Sequence, residues 1–234
     1  MKERPILFSG RMVRAILAGR KTQTRRVIKD ATGAFWDHRG YDVTLDYFGI
    51  TLWTHRESGD VVTHGPKAWC PYGQPGDRLY VRESWRGPHE HDDTKPRDIE
   101  PGGDIRYEAD GKARFWTDAS SFYEQPAEAA DGFGKLRPGI FLPRWASRIE
   151  LEITGVKVER LQDISEADVL AEGIEAVEND NVRELLAVRT GARDRWAEGW
   201  NRINGKRPGC SWEANPWLWC LTFKNLSCQN PNQG

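Results

Sequence analysis

The chain has 234 residues, with 34 Lys or Arg against 35 Asp or Glu, and its formal charge of −1 shows no bulk bias toward a cationic or anionic partner. No run approaches the ~20 apolar residues of a membrane-spanning helix, and the four Cys show neither a Cys-x-x-Cys pair nor a Cys/His grouping of zinc-site spacing. The length allows one decorated domain or two small ones, and 11 Trp supply core material despite a hydrophobic content of only 38%.

Pro5 to Phe8 is a short buried strand, too short for a signal-peptide core. With cysteines of the reduced, unpaired kind, the expected compartment is the cytoplasm. Ser9 is a good N-cap, and Met12, Val13, Ile16 and Leu17 form the apolar stripe of a short helix closed by Gly19. From Arg4 to Lys29 there are eight Lys or Arg and no Asp or Glu. Within this segment Gly19-Arg20-Lys21-Thr22-Gln23-Thr24-Arg25-Arg26 sets hydroxyls between cations. A one-signed patch commonly faces an anion, but it serves equally as a solvated edge paired with carboxylates elsewhere. Lys21 is also welcome at a helix C-terminus for purely structural reasons. Thr22 to Ile28 is a strand in which Thr22, Thr24 and Arg26 share one face and Gln23 and Arg25 the other.

From residue 31 to 67 the pattern dissolves into turn-like segments with short aromatic strands, read as an insertion. His38, His55 and His64 are surface residues on this reading. Cys70 to Asp77 is a rigid turn leading into the strand Arg78–Trp85, whose inward positions are Leu79, Val81, Glu83 and Trp85. Glu83 is then either the ion-pair partner of an N-terminal arginine or a group lining a cleft. A second loop-rich insertion is expected at 86–134, with a mobile loop over His89–Asp104 and one short strand over Ile105–Ala109. In Lys135–Arg148, cations surround apolar residues and Trp145. That pattern suits phosphate and base-stacking contacts, and equally Arg stems packed on a Trp.

Ile149–Leu161 is the longest strand signal. Its apolar positions change parity across Gly155, as a β-bulge in a curved sheet or barrel would produce. Ser165-Glu166-Ala167-Asp168 is a capping-box variant that starts a helix ending at Glu172, with Gly173 in the C′ position. A carboxylate there is disfavoured by roughly 0.3–1 kcal/mol, which suits a proton donor, although an exposed Glu could simply tolerate the cost. Asn181–Ile203 is helical with an interruption near Gly191, and Trp196, Trp200 and Ile203 are read as core. Trp217–Phe223 is a strand buried on both faces, and 227–234 is a flexible tail.

The order of these elements resembles the ASCH domain, a small β-barrel with flanking helices related to PUA-type RNA-binding barrels. The resemblance rests on Gly19–Arg26, on Gly76-Asp77-Arg78-Leu79-Tyr80-Val81, on the strand-to-helix passage Ile149–Glu172 and on Trp217–Phe223. The chain also looks like stand-alone ASCH proteins of phages and prophages, in which the run Pro-Arg-Trp-Ala-Ser-Arg-Ile seen at 143–149 recurs. It implies an α+β fold, one domain over 1–226 with the two insertions, and an RNA- or nucleotide-related role without metal, cofactor or membrane.

Small bacterial ASCH proteins are amidohydrolases that remove the acetyl group of N4-acetylcytidine with a Lys, a Thr and a Glu. By motif the resemblance places these on Lys21, Thr24 and Glu172, with Arg25 or Arg26 holding a phosphate or an oxyanion. Those amidohydrolases are about half as long as this chain, so the insertions could narrow or cover the cleft. The competing expectation is a non-catalytic reader of RNA or modified nucleotides, with Arg26, Tyr107, Arg144 and Trp145 clamping phosphate and base. Glu83 is the rival to Glu172 as the cleft acid, and a ribonuclease or a structural phage accessory protein are further alternatives.

Overall fold

A strand followed at once by a helix needs a tight reversal, and Phe8-Ser9-Gly10 supplies it. In a computed structural model describing residues 1–29, 41–45, 51–55, 57–59, 61–62, 70–118, 122–125, 132–174 and 191–227, Glu3–Leu7 is β1 and Gly10–Leu17 is α1. Helix α1 buries Val13, Ala15 and Ile16, and Gly19 stops it at φ 71°. The fold is mixed α+β with few helices, and its chain divides into two compact units. The expected tail at 227–234 falls almost wholly outside the described residues, as does Asn181–Thr190.

Unit 1 comprises Met1–Gly19, Asp77–Glu152 and the chain from Asn225. Strand β1 runs parallel to β6 (Arg78–Arg82), with Ile6 opposite Val81. Asp77, just before β6, accepts from the Lys2 amide at 2.7 Å and from Arg4 at 3.0 Å, which anchors the start of β1. On the other side of β6, Leu151 pairs with Leu79, at the start of β11 (Glu150–Arg160).

The segment expected to be a loop-rich insertion is instead largely an antiparallel sheet. It contains β7 (Trp85–Arg86), β8 (Gly103–Tyr107), β9 (Ala113–Trp116) and β10 (Phe122–Gln125), in the order β10-β9-β8-β7. The reason is burial: Trp85, Ile99, Ile105, Tyr107, Trp116, Leu142 and Ala146 form one apolar cluster. The expected mobile loop His89–Asp104 holds two 3₁₀ turns, His89–His91 and Pro96–Asp98, and contributes Ile99 to that cluster. Arg137, nearly buried and 5.4 Å above the Trp85 ring, donates to the carbonyls of His91, Asp92 and Thr94. One cation thus gathers three carbonyls of the segment between the two turns.

Unit 2 comprises Arg20–Gly76 and Ile153–Lys224. It holds β2 (Gln23–Val27), an antiparallel trio β3 (Tyr41–Leu45), β4 (Thr51–His55) and β5 (Val61–Val62), the rest of β11, and β12 (Trp217–Asn225). The short aromatic strands expected within 31–67 are therefore present as a small sheet. Strand β12 lies between β11 and β2, and it is apolar on both faces because an apolar cluster packs on each. Leu218 packs one way, with Leu161, Ile164, Val169, Trp196 and Trp200. Trp217 and Trp219 pack with Ile28, against which Val156 and Val158 also lie. The parity change across Gly155 thus marks a change of neighbours along one continuous strand, and no sheet closes into a barrel among the described residues.

Helix α2 (Glu166–Ala171) begins with the expected capping box: the Ser165 hydroxyl accepts from the Asp168 amide, and the Asp168 carboxylate accepts from the Ser165 amide and hydroxyl. It ends at Glu172, with Gly173 at φ 84°. Helix α3 (Ala192–Asn204) starts after Gly191 and buries Trp196 and Trp200. Ile203, expected in the core, is 61% exposed, because the two Trp rings already cover the buried stripe of this otherwise polar helix.

Burial pushes the Asp168 carboxyl up, but the Ser165 hydroxyl and amide, with Arg25 and Lys157, outweigh it and hold the group below its ordinary 3.8. A lowered acid stabilises the fold above its unfolded value and loses that contribution as pH falls through its folded value. Ser165→Ala is therefore expected to cost about 1 kcal/mol at pH 7. Urea unfolding should show a smaller cost in acid, once Asp168 is protonated in both proteins.

Candidate functional site

The site is built on the outer edge of β2. Phe223 donates to Thr22 and Ile28 donates to Trp217, so the alternation of an antiparallel ladder turns the carbonyls of Gln23 and Arg25 away from β12. At this edge Lys21 forms an isolated bridge with Glu172, and the Thr22 amide donates to Ala171 at 2.8 Å. Because the capping box and Gly173 define both ends of α2, they also fix where Glu172 meets the strand.

Lys21 is 2% exposed and Glu172 5%. The Lys21 ammonium donates to Gln23 O at 2.7 Å, Glu172 O at 2.9 Å and Glu172 Oε2 at 2.5 Å. Three acceptors match its three N–H groups. Burial pushes the Lys21 amine below its ordinary value, against the pull of Glu172, and the Arg26 and Arg25 cations push the same way as burial.

Arg25 is the second buried cation. It donates from Nε to Glu159 at 2.7 Å and from Nη1 to Glu172 Oε1 and to Gln23 Oε1, each at 3.2 Å; its Nη2 lies 3.5 Å from Asp168. Lys157 closes the group from the other side of Glu159 at 2.7 Å. Three cations (Lys21, Arg25, Lys157) thus face three carboxylates (Glu159, Asp168, Glu172), and the cluster is internally neutral. This corrects the expectation that Arg25 holds a phosphate: its side chain is 0% exposed and committed to protein acceptors. Cys220, opposite Arg25 on β12, has its thiol pushed up to about 12 by burial.

Thr24 lies opposite Leu221 and so projects on the other side of β2 from Arg25 and Cys220. It is 1% exposed, and its hydroxyl has no hydrogen-bond partner among the described residues. Buried hydroxyls are ordinarily paired, so this one is anomalous. Arg26, on the Thr24 side opposite Trp219, donates to Arg25 O at 3.4 Å and bonds the hydroxyl of Tyr72. The structure therefore joins Lys21 to Glu172, leaves the Thr24 hydroxyl without a hydrogen bond among the described residues, and places Arg26 on the same side of β2.

The remaining expected site residues belong to unit 1 and are engaged there. Glu83 is an ion-pair partner, but of Arg148 and not of an N-terminal arginine. The pair is bidentate at 2.8 and 3.0 Å, and Arg148 also grips Asp110 at 2.9 and 3.0 Å while lying 4.1 Å above the Tyr107 ring. Tyr107 is a core residue and not a stacking platform: it is fully buried, donates to Ala146 O at 2.8 Å and accepts from Trp116 at 3.1 Å. Burial pushes its phenol well above the ordinary value. Trp145 packs edge-on to Trp116 and donates to Ile99 O at 3.2 Å. Arg144 pairs with Glu3 and Glu150 and lies 5.0 Å from the Tyr80 ring centre. The Lys135–Arg148 run is thus mainly Arg packed on aromatics and paired with acids.

Sequence reasoning missed Glu159 and Asp168 as members of the β2 cluster. The signal available was weak: Lys157 and Glu159 share a strand face by period two, and Asp168 already had a complete role as a cap. Among the described residues no group of three or more His, Cys, Asp or Glu is arranged to hold a metal ion, and no helix is long and apolar enough to cross a membrane.

Replacing Glu83 with Met should cost about 3–5 kcal/mol in chemical denaturation, because it leaves Arg148 buried with half its partners. The Glu83→Met/Arg148→Met double variant should cost clearly less than the sum of the two single changes. Compared with protein-family models, with curated proteins and with solved structures, the chain finds no match.

Proposed function

We propose that the chain is an ASCH-type domain of the PUA-like barrel class acting on RNA-derived or modified nucleosides, and that its reaction is hydrolysis of an N4-acetylcytidine-type amide. One observation carries the reading. Lys21 and Glu172, 151 residues apart and singled out by the motif, are joined at 2.5 Å in a buried pair. The unpaired, buried Thr24 hydroxyl supports it, as does the burial that lowers the basicity of Lys21.

In this reaction the Lys21 ammonium passes its proton to Glu172 Oε2, 2.5 Å away, which leaves a neutral amine. The amine takes the Thr24 proton as the Thr24 oxygen adds to the acetyl carbonyl carbon. The C–N4 bond then breaks, N4 leaves as the cytidine amine with the proton of Glu172, and the acetyl group remains on Thr24. Water cleaves that ester, giving acetate and restoring the hydroxyl. Arg26, and not Arg25, is the arginine for the oxyanion or a phosphate, since Arg25 is spent on carboxylates.

The test follows cytidine release from N4-acetylcytidine by chromatography. Thr24→Val is the informative variant, because it removes a hydroxyl that makes no hydrogen bond among the described residues. Stability should be unchanged or raised by about 1 kcal/mol, while turnover should fall by about 10³-fold or more. Thr24→Ser should keep measurable activity. Absence of release by the unmodified protein, with salt-sensitive RNA binding that Arg26→Ala weakens, would overturn the reading in favour of a non-catalytic reader.

A further inference from the structure

Glu172 is shared. Its Oε2 meets the Lys21 ammonium and its Oε1 meets Arg25 Nη1 at 3.2 Å. A carboxylate bound through one oxygen can rotate about its terminal torsion; one held through both oxygens has its plane fixed. Arg25 is itself immobilised, by Glu159 on β11, by Asp168 in the first turn of α2 and by the Gln23 side chain on its own strand.

We propose that Arg25 is a positioning residue for the chemistry at Lys21: it holds Oε1 of Glu172 so that Oε2 alone faces the ammonium, and Glu159 and Asp168 hold the guanidinium in turn. The proposal rests on the reading of Lys21, Thr24 and Glu172 as the reacting trio. It gives Arg25 a role different from anion binding: its side chain is 0% exposed, and its Nε and Nη1 are already held by Glu159, Gln23 and Glu172. It also gives the capping box a second use. Asp168 fixes the start of α2 and, through Arg25, the orientation of the carboxylate that ends it.

The charge arrangement fits this role. Among the described residues, the groups that act on Lys21 include Arg25 and Arg26 on β2 and Glu172 at the end of α2; Asp168 on α2, Lys157 and Glu159 on β11 and Cys220 on β12 surround Arg25. Arg25 competes with Lys21 for one anion. The stronger its hold on Glu172, the less that anion favours the charged form of Lys21.

The experiment compares the unmodified chain with Arg25→Lys, Arg25→Gln and Glu159→Gln. Lys21 is titrated by NMR in protein labelled with 13C at the lysine ε carbons, the signal being assigned through Lys21→Arg. Hydrolysis of N4-acetylcytidine is measured on the same samples. Arg25→Lys keeps the charge and loses the fork, so kcat should fall by about 10²-fold with KM little changed. The Lys21 midpoint should move up in Arg25→Lys and further up in Arg25→Gln, as Glu172 passes wholly to Lys21. In Glu159→Gln it should move down, because Arg25 then leans harder on Glu172.

A network that only tied strands together would lower the melting temperature in all three and leave the Lys21 titration in place. That result, or an unchanged kcat in Arg25→Lys, overturns the proposal. Should Arg25→Gln fail to fold, the opposite shifts of Arg25→Lys and Glu159→Gln decide it. If the unmodified chain releases no cytidine, the amidohydrolase reading falls. The titration shifts still decide whether Arg25 governs the Lys21–Glu172 pair.

Discussion

Burying two cations in one small cluster is the constraint on which unit 2 depends. An ammonium and a guanidinium removed from water each carry a desolvation cost of several kcal/mol, and nothing apolar can offset it locally. Glu159, Asp168 and Glu172 do so, and each arrives from a different part of the chain: the end of β11, the first turn of α2 and the residue that caps its end. The capping box, Gly173 and the outer edge of β2 therefore work as one assembly. A shift of α2 by one residue would leave two buried cations short of partners. Such a requirement can hold a catalytic carboxyl in place as readily as it holds a fold together, which is why the same cluster carries both the structural and the chemical argument.

Arginine is used in a consistent way across both units. Arg137 gathers the carbonyls of His91, Asp92 and Thr94 over Trp85, and Arg148 binds Glu83 and Asp110 over Tyr107. Arg25 binds Gln23 and the carboxylates around Glu172. Each planar fork meets several acceptors at once, which a lysine in the same place could not reproduce. The contrast with Lys21 is chemical. An ammonium in such a setting can give up its proton, whereas a guanidinium stays charged, so the cluster pairs one group able to react with one able only to hold.

Much of the local structure was legible. The capping box at Ser165, the stops at Gly19 and Gly173, the doubly buried strand Trp217–Phe223 and the inward Glu83 all follow from short-range rules of capping, left-handed glycine and period two. The content of 86–134 was not. Its strands are short, and its polar and glycine-rich stretches resemble loop until Trp85, Ile105, Tyr107 and Trp116 are seen to share one cluster. Side-chain identity also could not say which arginines face outward. Arg25 and Arg26 are adjacent and alike, yet opposite sides of one strand give the first three carboxylates and the second Tyr72.

The sequence by itself determined the stops of α1 and α2, the capping box and the doubly buried last strand, and a family resemblance singled out Lys21, Thr24 and Glu172. Those features depend on neighbours within a few residues, where backbone sterics and capping bonds operate. Only the tertiary structure decided that Lys21 and Glu172 meet, that Arg25 is bound from within and that the Thr24 hydroxyl has no hydrogen bond among the described residues. Those outcomes depend on strand order and register, which set which face of β2 turns toward α2 and which toward Trp219. A period-two pattern separates the two faces but does not say what covers each.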